Sequence, residues 1–135
     1  MDSREIRTAL GKLQAEPDAE EAWSALKTAV ATEGGDLSRD DFLRLLDAAQ
    51  TEHARRGEWH AVGRLLEIGV AVAHGTEHEA NLVAAHAKVL SEELYDDDGA
   101  GIAYWRLLEL RPVDPLATAA IVMSGWKRRG QIEIL

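Results

Sequence analysis

The sequence predicts an all-α fold, with antiparallel helical hairpins stacked as a short right-handed α-solenoid of about seven helices. Three observations lead there. Ala, Leu, Glu and Arg fill its segments, and these are strong helix formers. Apolar residues recur three and four positions apart, and β-branched residues never alternate over a strand's length. Breaks come at regular intervals, at Pro17-Asp18, Gly34-Gly35-Asp36, Gly57, Gly75, Asp96 to Gly99, Pro112 to Pro115 and Gly130.

The first helix runs from Ser3, a candidate N-cap, to Ala15, with Ile6, Ala9, Leu10 and Leu13 on one face. The second runs from Ala19 to about Thr32. Asp18 is its expected cap, and Trp23, Leu26 and Val30 form its stripe. The third opens at Ser38, with Asp41 as capping partner, and carries Phe42, Leu45, Leu46 and Ala49. It ends at Arg55-Arg56, cations suited to the negative helix pole, and Gly57 stops it. The fourth starts near Glu58 and holds Trp59, Val62, Leu65, Leu66, Gly69 and Val70. The fifth follows Thr76 and holds Leu82, Val83, His86, Val89, Leu90 and Leu94. The sixth follows Asp96-Asp97-Asp98 and is apolar almost all round, through Ile102, Ala103, Tyr104, Trp105, Leu107, Leu108 and Leu110. Such a helix is expected to lie between neighbours. The seventh starts at Asp114 or Pro115, a tolerated first-turn proline, and is expected to run to Arg129.

Short connections make consecutive helices antiparallel. Pairing them in order gives starts near Ser3, Ser38, Thr76 and Asp114, offsets of about 35, 38 and 38 residues, in the range of helical-hairpin repeats. Arg55-Arg56-Gly57-Glu58 also recurs as Arg128-Arg129-Gly130-Gln131. The expectation is one domain over 1–135, with pairs near 3–33, 38–74, 77–111 and 114–135, the last incomplete. The alternative is a plain helix bundle with accidental spacing.

Leu108-Glu109-Leu110-Arg111-Pro112-Val113-Asp114-Pro115-Leu116-Ala117 resembles the junction between two tetratricopeptide repeats. By that resemblance Tyr104 takes the aromatic position of a helix B and Ala100 its small position, while Ala84 and Ala87 take packing positions of a helix A. Glu16 to Leu26, with Trp23 and Leu26 well placed, resembles the beginning of another helix A. The two registers conflict, because the count from Ser38 makes that second helix a helix B. The family's Leu-Gly pair is absent, with Lys88 and Val122 where glycine would stand.

Composition narrows the chemistry. There is no cysteine, which removes disulfides, thiolate metal sites and thiol catalysis. A net charge of −9 argues against nucleic acid and anionic membrane as partners. No apolar run reaches a membrane span, no signal-peptide core is visible, and cytoplasm is the expected compartment. The composition looks bacterial. His74 and His78 have a ligand spacing, but Gly75-Thr76 should break the helix between them. His86 reads as a core or interface histidine, and His53 and His60 merely flank Gly57. The Asp96-Asp97-Asp98-Gly99 run lacks the calcium-loop pattern, since position twelve is Leu107. It suits the positive pole of the following helix instead. Ser91 and Ser124 lack a base at an obvious spacing, and there is no nucleophile elbow or phosphate-cradling loop. No catalytic residue, cofactor or metal is implied.

The function expected is a non-catalytic interaction module that binds a peptide or partner protein on the concave face of its repeats. The resemblance places that face on first helices of pairs. The candidate contacts are Arg44, Asp47, Thr51 and Arg55 on the third helix, Ala85, Val89 and Glu92 on the fifth, and Ala119, Met123, Trp126 and Lys127 on the seventh. Gln131-Ile132-Glu133-Ile134-Leu135 reads as the opening of a second helix that is cut off. The chain is thus expected to be the N-terminal part of a longer protein, or to cover that end by homo-oligomerising. A self-assembling scaffold subunit contacting through the apolar C-terminal face is the alternative function. An acidic decoy for a basic partner and an enzyme with a spatially assembled pocket are further ones.

Overall fold

The computed structural model describes residues 1–32 and 34–123. Over these the protein is all-α, with seven helices and no strand: α1 (Ser3–Ala15), α2 (Glu20–Ala31), α3 (Arg39–Arg55), α4 (Trp59–Val72), α5 (Glu79–Glu92), α6 (Asp97–Leu110) and α7 (Pro115–Met123). The expected extension of the seventh helix to Arg129, and the second Arg-Arg-Gly sequence, lie outside the described residues.

Local chemistry sets the helix ends. Asp2, not Ser3, caps α1, its carboxylate accepting the N–H groups of Arg4 and Glu5 at 2.9 and 3.2 Å. Ser3 is drawn away because its own N–H and hydroxyl donate to Asp36 at 3.0 and 2.7 Å. Asp18 does not cap α2. It sits in the turn closed by the Ala19 N–H on the Glu16 carbonyl, one residue too early, and α2 opens behind Ala19 with no side-chain cap. Ser38 caps α3 by accepting the Asp41 N–H at 3.1 Å, but Asp41 accepts from Arg44 rather than closing the box. Gly57, at φ +74°, turns the chain from α3 into α4. An L side chain avoids that left-handed region.

The chain divides into two compact units, Met1–His74 and Gly75–Leu135, where one domain over 1–135 is expected from the sequence. The division falls between the second and third hairpins. In the first unit α1 pairs with α2, α3 pairs with α4, and α1 lies beside α3. Ser3 meets Asp36 at the start of α1, and Arg56 reaches Gln14 at its end. The two helices therefore run parallel. Arg64 of α4 likewise reaches Glu20 of α2 and lies 4.4 Å over the Trp23 ring. The second hairpin is thus laid on the first in the same orientation, displaced by 33 to 44 residues. This pairing follows the phase counted from Ser38, so Trp23 belongs to the second helix of its hairpin.

Ile6, Leu13, Trp23, Leu26, Phe42, Leu46 and Leu65 are sealed inside this unit. Each such side chain contributes about 1.5–3 kcal/mol on leaving water.

In the second unit α5 pairs with α6, and α7 packs on α6. Its core is rich in alanine: Val83, Ala87, Ala100, Ala103, Tyr104, Leu107, Ala117 and Ile121. The expected stripe of α5 is shifted, because Leu82, His86, Leu90 and Leu94 are only half-buried. Buried Glu79 opens α5, accepting the Gly75 N–H and an Arg106 guanidinium N–H, both at 3.0 Å. The expected enclosure of α6 is incomplete. Its buried residues occupy one side, and Ile102 is 73% exposed. Among the described residues no helix is long and apolar enough to cross a membrane.

Candidate functional site

Arg44, Asp47, Thr51 and Arg55 are three, four and four residues apart, the spacing of one helical stripe. All four are exposed on α3. Arg44 pairs with Asp41 at 3.3 Å, Arg55 pairs with Glu52, and the Thr51 hydroxyl donates to the Asp47 carbonyl at 2.9 Å. The stripe is therefore polar and of alternating charge, with its side chains steadied from their own helix.

On α5, Ala85 and Glu92 are exposed, but Val89 is buried. Its branched apolar side chain turns into the core of the second unit, which removes it from any contact surface. Glu92 lies 4.0 Å from Lys88. Ala119 is exposed on α7. Met123 is the last residue of α7. Its side chain, together with Trp126, Lys127 and the Gln131–Leu135 segment, lies outside what is described.

Two grooves in the first unit escape the sequence argument. Between α1 and α2 a cavity of about 620 Å³ is lined by Ala9, Ala22 and Ala25 among others. Arg4 and Glu5 also line it, and so do Lys12 and Glu21, which pair at 2.7 Å. This contact raises the Lys12 ammonium above its ordinary range and lowers the Glu21 carboxyl below it, each through the hydrogen bond to the other. Between α2 and α4 a cavity of about 370 Å³ is lined by Val30, Ala31, Ile68 and Ala71. Arg64 stands at its edge and, by hydrogen bond and charge, lowers the Glu20 carboxyl. Alanines facing alanines leave space between helices, and that was the available signal.

The α3–α4 turn holds a polar cluster. His53 is fully buried, and its Nδ1 donates to the Glu58 carboxylate at 2.7 Å. Arg56 lies 3.3 Å from the same carboxylate and donates to the Gln14 carbonyl and side-chain oxygen at 2.8 and 2.6 Å. His53 thus joins the two helices at their turn, while His60 is exposed. Arg56 does more than face a helix pole, since it fastens the second hairpin to α1. These groups position helices.

His74 and His78 are divided by the expected break, with Gly75 at φ +80°. The Asp96 carboxylate accepts the Gly99 N–H at 3.0 Å as the cap of α6. Among the described residues no group of three or more His, Asp or Glu is gathered as a metal-ligand set. Comparison with protein-family models, with curated proteins and with solved structures finds no match.

Proposed function

We propose that the chain is a non-catalytic protein–protein interaction module, built of divergent tetratricopeptide-like hairpins. Its first unit takes up a peptide or partner protein along the exposed stripe of α3. The carrying observation is the way its two hairpins lie. They share one orientation, with α1 parallel to α3 and one hairpin displaced by 33 to 44 residues from the next. That is the relation a helical-repeat stack needs, and such stacks offer long surfaces on which a partner lies across several helices. Arg44 and Arg55 supply cations at the two ends of the stripe, and Asp47 an anion between them. A partner segment with carboxylates flanking a base fits that order. The shifted carboxyls of Glu20, Glu21 and Asp36 are each held by a partner that ties helices together, a structural use of their charge.

Selection from a random displayed-peptide library against the intact chain tests this. Peptides carrying acid–base–acid order should be enriched and should lose at least about tenfold in affinity on Arg44→Glu with Arg55→Glu. Enriched peptides that bind this double variant unchanged, or a library from which nothing is enriched, would overturn the reading.

A further inference from the structure

We infer that the cavity between α2 and α4 is a binding site for a free aliphatic amino acid. Its lining divides by chemistry. Val30 and Ala31 of α2, with Ile68 and Ala71 of α4, present apolar surface. Lys27 of α2 and Glu67 of α4 line the same cavity, and both are exposed. Neither side chain makes an ion pair or a hydrogen bond, with the other or with any further described residue. Arg64 is already engaged, since it donates to both carboxylate oxygens of Glu20, at 2.8 and 3.3 Å, and lies over Trp23. With Glu20 so held, Lys27 acts on it only from a distance and after Arg64 in strength. A cation on one helix and an anion on the other thus line an apolar cavity without a partner of their own. The α1–α2 cavity shows the contrast. There too a lysine and a glutamate come from facing helices, but Lys12 and Glu21 pair with each other at 2.7 Å.

Size and charge select the occupant. At about 370 Å³ the cavity lies in the range of small-molecule sites. Its lining runs from Lys27 to Ala31 on α2 and from Arg64 to Ala71 on α4, roughly 6 and 10 Å of helix. A partner helix, about 10–12 Å across with its side chains, would lie over that opening without filling it. A second copy of this chain would set one concavity against another and leave both empty. The two charges call for a carboxylate and an ammonium on one small molecule, and the apolar lining for an aliphatic body. An amino acid such as leucine carries all three. Its carboxylate accepts from the Lys27 ammonium, its own ammonium donates to the Glu67 carboxylate, and its side chain lies against Val30 and Ile68. Both polar contacts are charge-assisted hydrogen bonds, stronger than neutral ones. The site shares no residue with the α3 stripe, so either proposal can fail alone.

The test titrates the intact, isotope-labelled chain with L-leucine to about 20 mM, a range set by the affinity a ligand this small can reach, and follows its amide resonances. Saturable shifts should gather at Lys27–Ala31 and Arg64–Ala71. Isocaproate, which lacks the ammonium, and isoamylamine, which lacks the carboxylate, should each bind at least about fivefold more weakly. Lys27→Gln should weaken leucine about fivefold and leave isoamylamine unchanged, and Glu67→Gln should weaken leucine as much and leave isocaproate unchanged. Ala71→Leu, which fills the cavity without altering charge, should abolish binding at parental helicity by circular dichroism. If that variant loses helicity, the two charge variants, at exposed positions, carry the test. Lys12→Gln, at the pair already satisfied, should change leucine binding less than about twofold. Shifts that do not saturate or that gather elsewhere would overturn the proposal. So would full binding by Ala71→Leu, unchanged binding by both charge variants, or an affinity for either half-ligand equal to that for leucine.

Discussion

One chemical change, made at two glycines of the same unit, should move stability in opposite directions. Gly11 lies in the middle of α1, and a Cβ built there meets nothing within 4 Å. Gly57 lies in the α3–α4 turn at φ +74°, and a Cβ there also meets nothing within 4 Å. Packing therefore drops out, and backbone conformation alone decides. Gly11→Ala removes chain entropy from the unfolded state at a helical position, a gain of about 0.5–1 kcal/mol. Gly57→Ala places an L residue in the left-handed region, which costs about 1–2 kcal/mol. The same loss of unfolded entropy offsets about 0.4–1 kcal/mol of that, leaving a net loss near 1 kcal/mol. The two variants should differ by about 1.5–2 kcal/mol. In a unit the size of Met1–His74, each kcal/mol moves Tm by about 4–8 °C. Urea melts and thermal scans by far-UV circular dichroism measure it. A shared sign for the two variants, or a neutral Gly57→Ala, would refute the backbone argument.

Two more outcomes follow. Arg56→Ala removes the fork that reaches Gln14, and with 39% of its side chain exposed it should lose about 1–1.5 kcal/mol by urea melt, whereas Arg55→Ala, whose exposed pair with Glu52 lies within one helix, should lose under about 0.5. Asp36 is held below its ordinary value near 3.8 by the N–H and hydroxyl of Ser3. Its contribution is full above that value and is lost as pH falls through the lowered one, so Asp36→Asn should flatten the acid limb of a stability–pH profile below about pH 4 and leave neutral pH less stable than the parent. An unaltered acid limb would assign the slope to other carboxyls.

Much of the helical layout was legible because its signals are local. The bounds of α1, the cap at Ser38 and the stop at Gly57 all depend on residues within a turn of one another. Where the expectation failed, a distant group had intervened. Ser3 lost the cap because Asp36, 33 residues on, takes its donors. Periodicity shows which residues share a face, yet not which face receives a neighbour. Val89, chosen on α5 as a contact residue, is buried, whereas Leu82 of the apolar stripe is only half-buried. For α6, apolar on nearly every side, periodicity carried no direction, and the exposure of Ile102 was invisible. The four residues chosen on α3 needed only helical spacing to be placed on one stripe. The grooves beside α2 left a trace in the alanines of α1, α2 and α4, but which alanines face one another depends on helix pairing, which no single helix encodes. The Arg56–Gln14 tie was hidden for the same reason, since it joins residues 42 apart.

The parallel laying of α3 on α1 also sets a timetable for synthesis. Asp36, which holds the start of α1, is made 33 residues after Ser3, and Arg56, which holds its end, 42 after Gln14. At about 5–20 residues per second, α1 leaves the ribosome roughly 2–8 s before either tether exists. In that interval α2 alone can cover Ile6 and Leu13, by closing the first hairpin within microseconds of its completion. Rare codons placed after α2 would lengthen the wait of a closed hairpin, but the same codons placed within α2 would prolong the exposure of a bare apolar stripe. A translational pause of given length therefore invites aggregation more when it falls within α2 than when it falls after it.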